Sequence, residues 1–257
     1  MTTLLPLPAN HIHIWLTSTD EAREPALLAR YDALISADER LQAARFHFPE
    51  DAHRYLITRA LVRTVLSRYA ALEPVQWIFE KNAYGKPSIA NPQAMAEGLH
   101  FNVSHTQGLI ALVVSRGAAV GVDLEHRTAR ADLMELAQAT MTRWEWDALH
   151  PLPAKDRETR FYQHWTLKEA YIKARGRGLD IPLTQVGFEI LSADRIAMHL
   201  DPALGDAPGH WNLWHLQPTD AHCMALCAAR HGAVQQQLSW WRTVPLQSER
   251  ALQKASA

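Results

Sequence analysis

Long apolar runs, net charge and cysteines are all scarce in this chain, and each scarcity closes off a class of function. No apolar stretch approaches the roughly 20 residues that span a bilayer, so no membrane span is expected. Acidic and basic residues nearly cancel, leaving a net charge of -1, which speaks against a general nucleic-acid or anionic-membrane binder. The start, Met1-Thr2-Thr3-Leu4-Leu5-Pro6, has neither the basic segment nor the long apolar core of a signal peptide. The two cysteines, Cys223 and Cys227, sit in an apolar segment and share one face if it is a strand. They are expected to be buried free thiols, since a zinc site needs more ligands at metal spacing. Together these features suit a reducing, cytoplasmic setting. No G-x-S-x-G element is present. Ser104 and His105 are strand neighbours that point to opposite faces, so they form no nucleophile–base pair directly. His11 and His13 alternate with Ile12 and Ile14, which describes an N-terminal strand with one polar face and not a two-histidine metal site.

What is present is enough apolar residue for a core, 47% of 257 residues, in one large or two small domains. Ser36-Ala37-Asp38-Glu39 has the pattern of a capping box and predicts a helix start, as does Thr142-Arg143-Trp144-Glu145. A further helix is expected from near Pro49 to about Tyr69, with Ile57, Leu61, Val65 and Leu66 on its apolar side. Arg59 and Arg63 form a basic row on it, read as a solvated face. A long helix is expected over 156–174, stopped at Gly176. Strands are expected over 75–79, 99–103, 109–115, 119–125, 186–191, 195–199, 211–216 and 223–229. The order helices–strands–helices–strands predicts α+β architecture in two halves, with a boundary near 115–118. Residues from about 234, ending Lys254-Ala255-Ser256-Ala257, read as a peripheral tail that frays or forms a surface helix.

Two segments carry chemistry. In Gly121-Val122-Asp123-Leu124-Glu125, period-two alternation sends Val120, Val122 and Leu124 to one face and Gly121, Asp123 and Glu125 to the other. Two carboxylates on one face stay ionised together only beside a cation or in water. Hard oxygen donors suit Mg²⁺, and Gly121 is read as leaving room for a ligand on that face. In Trp165-Thr166-Leu167-Lys168-Glu169-Ala170-Tyr171-Ile172-Lys173, Glu169 lies at the edge of a helical stripe formed by Phe161, Trp165 and Ile172. Lys173 follows one turn later. Lys168, near the same stripe, is expected to form a structural ion pair.

Gly-Val-Asp-x-Glu followed by Trp-x-x-Lys-Glu-Ala-x-x-Lys resembles the 4'-phosphopantetheinyl transferase superfamily, in its larger Sfp-like branch. Phe46, Glu50 to Arg54 and Leu61-Val62-Arg63 look like that branch's N-terminal helices. Tyr84-Gly85-Lys86-Pro87 looks like its Gly-Lys-Pro turn, and Phe101-Asn102-Val103-Ser104-His105 like its Asn-x-Ser-His element. Gly176-x-Gly178-Leu179 looks like the turn after its catalytic helix. These elements come in the family's order, from about residue 36 to about residue 190.

The resemblance implies two similar α+β subdomains, 1–117 and 118–257, with antiparallel sheets related by a pseudo-twofold and the active site in the cleft between them. It implies transfer of the 4'-phosphopantetheine arm of coenzyme A to a serine of an apo acyl or peptidyl carrier protein, leaving adenosine 3',5'-bisphosphate. Asp123, Glu125 and Glu169 are expected to hold Mg²⁺. Glu169 is the candidate base, and Lys173 would neutralise the leaving phosphate. Lys86, Pro87, Asn102, Ser104 and His105 are expected near the coenzyme A nucleotide. The chain departs from the pattern at Gln42 and Glu39, where relatives often carry basic residues, so the expectation is that Arg40 or Arg45 takes the phosphate contact or that affinity for the 3'-phosphate is weaker. A monomer is expected, with no nucleic acid or membrane partner. A Mg²⁺-dependent phosphohydrolase or nuclease would use the same acids with water, and the ordered motif set argues against it. A non-catalytic module would keep the fold and bind coenzyme A or carrier protein, and the retention of all three carboxylates and Lys173 argues against that.

Overall fold

The computed structural model describes residues 4–192, 195–232 and 234–252. The N-terminal Met1-Thr2-Thr3 and the Lys254-Ala255-Ser256-Ala257 end therefore lie outside the described residues. In chain order the elements begin with β1 (His11–Ser18), α1 (Pro25–Asp32), α2 (Ala37–Ala43) and α3 (Pro49–Leu66). Then come β2 (Phe79–Lys81), β3 (Pro87–Ile89), α4 (Pro92–Ala96), β4 (Leu99–Thr106), β5 (Leu109–Arg116) and β6 (Val120–His126). Next are α5 (Leu133–Thr140), α6 (Arg143–Leu149), α7 (Ala154–Arg175), β7 (Val186–Ser192) and β8 (Arg195–Leu200). The last are β9 (Trp211–Thr219), β10 (His222–Ala229), β11 (Gln237–Val244) and β12 (Ser248–Leu252).

The chain is mixed α+β and divides into two compact units. The first draws on residues 4–80, 87–118 and 234–252, the second on 81–86 and 119–232. The first unit holds a five-stranded sheet in the order β12-β11-β1-β5-β4. All its pairings are antiparallel except β1 with β11, which is parallel. α3 covers this sheet, burying Ile57, Leu61, Val65 and Leu66 against Trp15, Phe101 and Leu112. α2 starts where the capping box requires: Ser36 Oγ accepts from the Glu39 N–H, and the Glu39 carboxylate accepts from the Ser36 N–H.

Four expectations about this unit are corrected. The segment from 234 is no peripheral tail of the second half. Its residues Gln237–Val244 form β11, which lies beside β1 and makes β1 an interior strand. For the same reason β1 has no polar face: His13 is buried, its Nδ1 2.9 Å from the Tyr69 hydroxyl. The expected strand at 75–79 is broken. Pro74 opens a short 3-10 turn, Pro74–Gln76, which leaves Val75 and Ile78 exposed and turns Trp77 inward. The Arg59–Arg63 row is not a solvated face either. Arg63 is buried, with its guanidinium on Glu39 at 2.7 Å and on the carbonyls of Pro74 and Trp77.

The second unit is a three-stranded antiparallel sheet, β6-β10-β9, with the hairpin β7–β8 and the long helix α7. Leu167, Ala170, Tyr171 and Ala174 of α7 pack with Ala225 and Cys227 of β10. Cys223 and Cys227 are free and buried on β10. The tip of the β2–β3 hairpin, residues 81–86, also belongs to this unit, although the sequence placed it in the N-terminal half. Among the described residues, no helix is long and apolar enough to cross a membrane.

Candidate active site

The site grows out of one packing contact. β6 turns the face bearing Gly121, Asp123 and Glu125 towards α7. A Cβ on Gly121 would collide with the backbone of Ala170 and Ala174, the Ala174 Cα lying only 2.9 Å from its position. Gly121 therefore does not make room for a ligand, as its position suggested; it lets the helix come down on the strand. That approach brings Glu169 and Lys173 beside the two strand carboxylates. Lys173 Nζ lies 2.6 Å from Asp123 Oδ1. Further along, Trp165 Nε1 donates to Glu125 Oε1 at 3.2 Å. The strand order 121, 123, 125 thus meets the helix order 174, 173, 165.

The electrostatics of this cluster are dominated by crowding. Burial, reinforced by the charges of Asp123 and Glu169, pushes the Glu125 carboxyl up to about 7. Burial and the Asp123 charge raise Glu169 as well. Lys173 opposes both shifts, but it is one ammonium among three carboxylates. Among the described residues, no three acid, imidazole or thiol groups stand arranged to ligate a metal ion. The ammonium of Lys173 takes Asp123 Oδ1 instead.

Trp165 and Glu145 are the residues that the motif reading missed. Trp165 was read as part of an apolar stripe, yet its indole N–H orients Glu125. Its signal was its place one turn before Glu169. Glu145 was read only as the last residue of a capping box, which it completes with Thr142. Its carboxylate also accepts from the Phe188 N–H at 2.8 Å and meets Lys168 Nζ at 2.7 Å. His164 Nδ1 lies 3.0 Å from the same carboxylate, without the alignment of a hydrogen bond. Burial alone would raise the Glu145 pKa; His164 and Lys168 outweigh it and hold it at about 2. Lys168, donating also to the carbonyls of Leu183 and Val186, makes the structural ion pair expected of it.

The remaining expected residues are placed as follows. Asn102 and Ser104 are buried on β4 and His105 between them and the strand end is exposed, as neighbouring positions on a strand require. Pro87 opens β3 and is half-buried. Lys86 lies against the end of α7, its Nζ 3.1 Å from the Ala174 carbonyl. Arg40 is tied to Asp32, its Nε 3.1 Å from the carboxylate and its NH2 2.6 Å from the main-chain carbonyl. Arg45 is exposed beyond the end of α2.

Comparison with known proteins assigns the two halves of the chain separately. Residues 119–227 match the family model for the 4'-phosphopantetheinyl transferase superfamily. Residues 23–117 match the model described as 4'-phosphopantetheinyl transferase, N-terminal. The chain is 32% identical to the 4'-phosphopantetheinyl transferase HetI of Nostoc sp., over 88% of its own length and 93% of the relative's. It is 30% identical to the 4'-phosphopantetheinyl transferase Sfp of Bacillus subtilis, over 78% of its own length and 84% of that protein's. A phosphopantetheinyl transferase of Thraustochytrium sp. is 31% identical over 82% of this chain and 76% of its own. With relatives matched over most of both chains and the acid-bearing segments inside the matched regions, the chain belongs to the 4'-phosphopantetheinyl transferase superfamily, in its Sfp-like branch.

Proposed function

We propose that this chain moves the 4'-phosphopantetheine arm of coenzyme A onto a serine of an apo carrier protein, using Asp123, Glu125 and Glu169 as the reacting centre. The observation that carries the reading is the convergence of these three carboxylates and Lys173 from β6 and α7, with Glu125 raised to about 7 by burial and by its acidic neighbours. Such a cluster is poorly balanced by one lysine and suits a hard divalent cation. The three carboxylates are not arranged around a common ion here, but a donor set without imidazole or thiolate has the hard-oxygen chemistry of Mg²⁺, which Asp123, Glu125 and Glu169 would hold. A bound Mg²⁺ would supply Lewis-acid charge neutralisation to the pyrophosphate.

The chain's own residues then have distinct tasks. Trp165 fixes the Glu125 carboxylate through its indole N–H. Glu169, whose proton affinity is raised by burial, would take the proton of the carrier serine, directly or through a water. Lys173 neutralises charge on the departing phosphate, which fits a phosphoryl transfer governed by positioning and charge. Asn102, Ser104, His105 and Pro87 serve the coenzyme A nucleotide. Of the two arginines considered for its phosphate, Arg45 is the better candidate, because Arg40 is engaged by Asp32. The chain works as a cytoplasmic monomer, its carrier partner binds transiently, and neither nucleic acid nor membrane takes part.

The experiment combines purified protein, coenzyme A, Mg²⁺ and an apo carrier protein, and weighs the carrier by mass spectrometry. A gain of one phosphopantetheine arm, abolished by EDTA, is expected. Asp123→Ala and Glu169→Ala should each abolish the gain while the circular dichroism spectrum is kept. Wild-type rates in either variant would sink the assignment of the centre. Release of free phosphate without carrier modification would favour a hydrolase.

A further inference from the structure

The loop between β2 and β3 is folded around one asparagine. Asn82 Oδ1 accepts from the N–H groups of Tyr84 and Lys86, each at 3.0 Å, and the Asn82 N–H donates to the Lys86 carbonyl at 3.1 Å. The other end of the same side chain, Nδ2, donates to the Gly176 carbonyl at 2.7 Å. Lys86 Nζ donates to the Ala174 carbonyl at 3.1 Å and, at 3.4 Å, to the carbonyl of Val120. Gly176 ends α7 in the left-handed conformation, φ 68°, and a Cβ there would lie 2.9 Å from Lys86 Cδ.

Two side chains from one loop thus occupy the carbonyl end of α7. The last four carbonyls of a helix lack partners within it, and the helix dipole favours a cation there. The Lys86 amine does more than cap. Val120 is the first residue of β6, so one ammonium joins the final turn of α7 to the start of β6. Those two elements carry the reacting centre: Asp123 and Glu125 on the strand, Glu169 and Lys173 on the helix. Ala174, whose carbonyl Lys86 holds, directly follows Lys173. Burial pushes the Lys86 amine down to about 8.

We infer that Lys86, together with Asn82, is a positioning residue for the transfer: it pins the end of α7 to the start of β6 and so holds Lys173 and Glu169 over Asp123. Its amine serves the reaction through the helix and does not recognise the coenzyme A nucleotide. The inference rests on the Asp123–Glu125–Glu169 cluster being the reacting centre.

The test compares wild type with Lys86→Met, which keeps the stem and removes the amine, and with Asn82→Ala. Each is assayed for kcat and KM for coenzyme A with apo carrier and Mg²⁺. Amide hydrogen exchange is followed over 170–177 in the same three proteins. Both variants should lower kcat roughly tenfold, leave KM for coenzyme A within about twofold, and speed exchange of the terminal α7 amides roughly tenfold. Asn82→Ala carries the test if Lys86→Met does not fold. A KM for coenzyme A raised more than about threefold by Lys86→Met and not by Asn82→Ala overturns the inference, as does unchanged exchange in both variants. Absence of carrier modification by wild type would defeat the functional reading alone, because the exchange data still judge the clamp.

Discussion

A single methyl group added at Gly121 would meet the backbone of α7, and backbone cannot swing aside as a flexible side chain can. Gly121→Ala should therefore destabilise the protein by about 3 kcal/mol in urea unfolding and cut carrier modification more than its loss of stability explains. A stable, active variant would mean that the helix–strand contact is looser than drawn. The acids opposite give a second prediction. The folded pKa of Glu125, about 7, lies above its ordinary 4.5, so the native state binds the extra proton between those values. Stability from this group is complete below about 4.5 and is lost as pH rises through about 7. A cation among the acids reverses that loss. Added MgCl₂ should raise the melting temperature by at least about 4 °C near pH 8 and by less than about 1 °C near pH 5.5. Glu125→Gln should flatten the difference, and an equal rise at both pH values would count against Mg²⁺ at these carboxylates. At this scale the sequence showed the clustered acids but not what surrounds them. Alternation put Gly121 on the face of Asp123 and Glu125. It could not say whether a small residue there faces a ligand or a helix, since both demand the same missing side chain.

Glu145 joins three elements with one carboxylate: it completes the capping box of α6, accepts from the Phe188 N–H of β7 and holds Lys168 of α7. Removing it leaves the Lys168 ammonium buried at 1% exposure with only carbonyls around it. Glu145→Ala should cost about 3–5 kcal/mol, the penalty for stranding a buried charge. Lys168→Met on its own should also destabilise, while the double variant Glu145→Met with Lys168→Met should recover much of either loss. Urea unfolding of the four proteins measures the coupling, and strict additivity would deny the pair its role. Element boundaries were legible where the signal is local. Thr142 with Glu145 and Ser36 with Glu39 announced helix starts, and Gly176 announced a stop. Elements were misread where a short-range pattern competed with a turn former, as at Pro74, where the apolar run 75–79 looked like a strand. The partnership of Glu145 with Lys168 was hidden for a different reason: it joins residues on separate helices, and the capping pattern already explained Glu145.

At the scale of the whole chain, the surprise is the return of the last strands to the first unit. β11 lies parallel to β1 in register, with Trp241 opposite Trp15. Their rings stack with centroids 5.0 Å apart and planes 16° apart, and His13 packs on the same indole at 4.3 Å. Tyr31 ties its hydroxyl to the Pro245 carbonyl at 2.9 Å, and Val244 sits within the core. No local pattern could show this, because a parallel pairing between the first strand and the penultimate one is written nowhere in the residues between them. Ending the chain after residue 232 would uncover Trp15 and expose the backbone of β1 as an open edge. The lost burial rivals a typical domain's whole stability of roughly 5–15 kcal/mol, so the truncated chain should lose its cooperative transition and its activity together. Trp241→Ala probes the same contact more gently and should cost about 3 kcal/mol. Acid should find the same weak point. Burial and the nearby His11 push His13 down to about 4, below the ordinary 6.5, so the unfolded chain binds the extra proton between those values. The stability due to neutral His13, on the order of 3 kcal/mol, is complete above about pH 6.5 and is lost as pH falls through about 4. His13→Phe should therefore flatten the pH dependence of unfolding in that window, whereas a truncated chain that kept wild-type melting and carrier modification would return the last strands to the periphery.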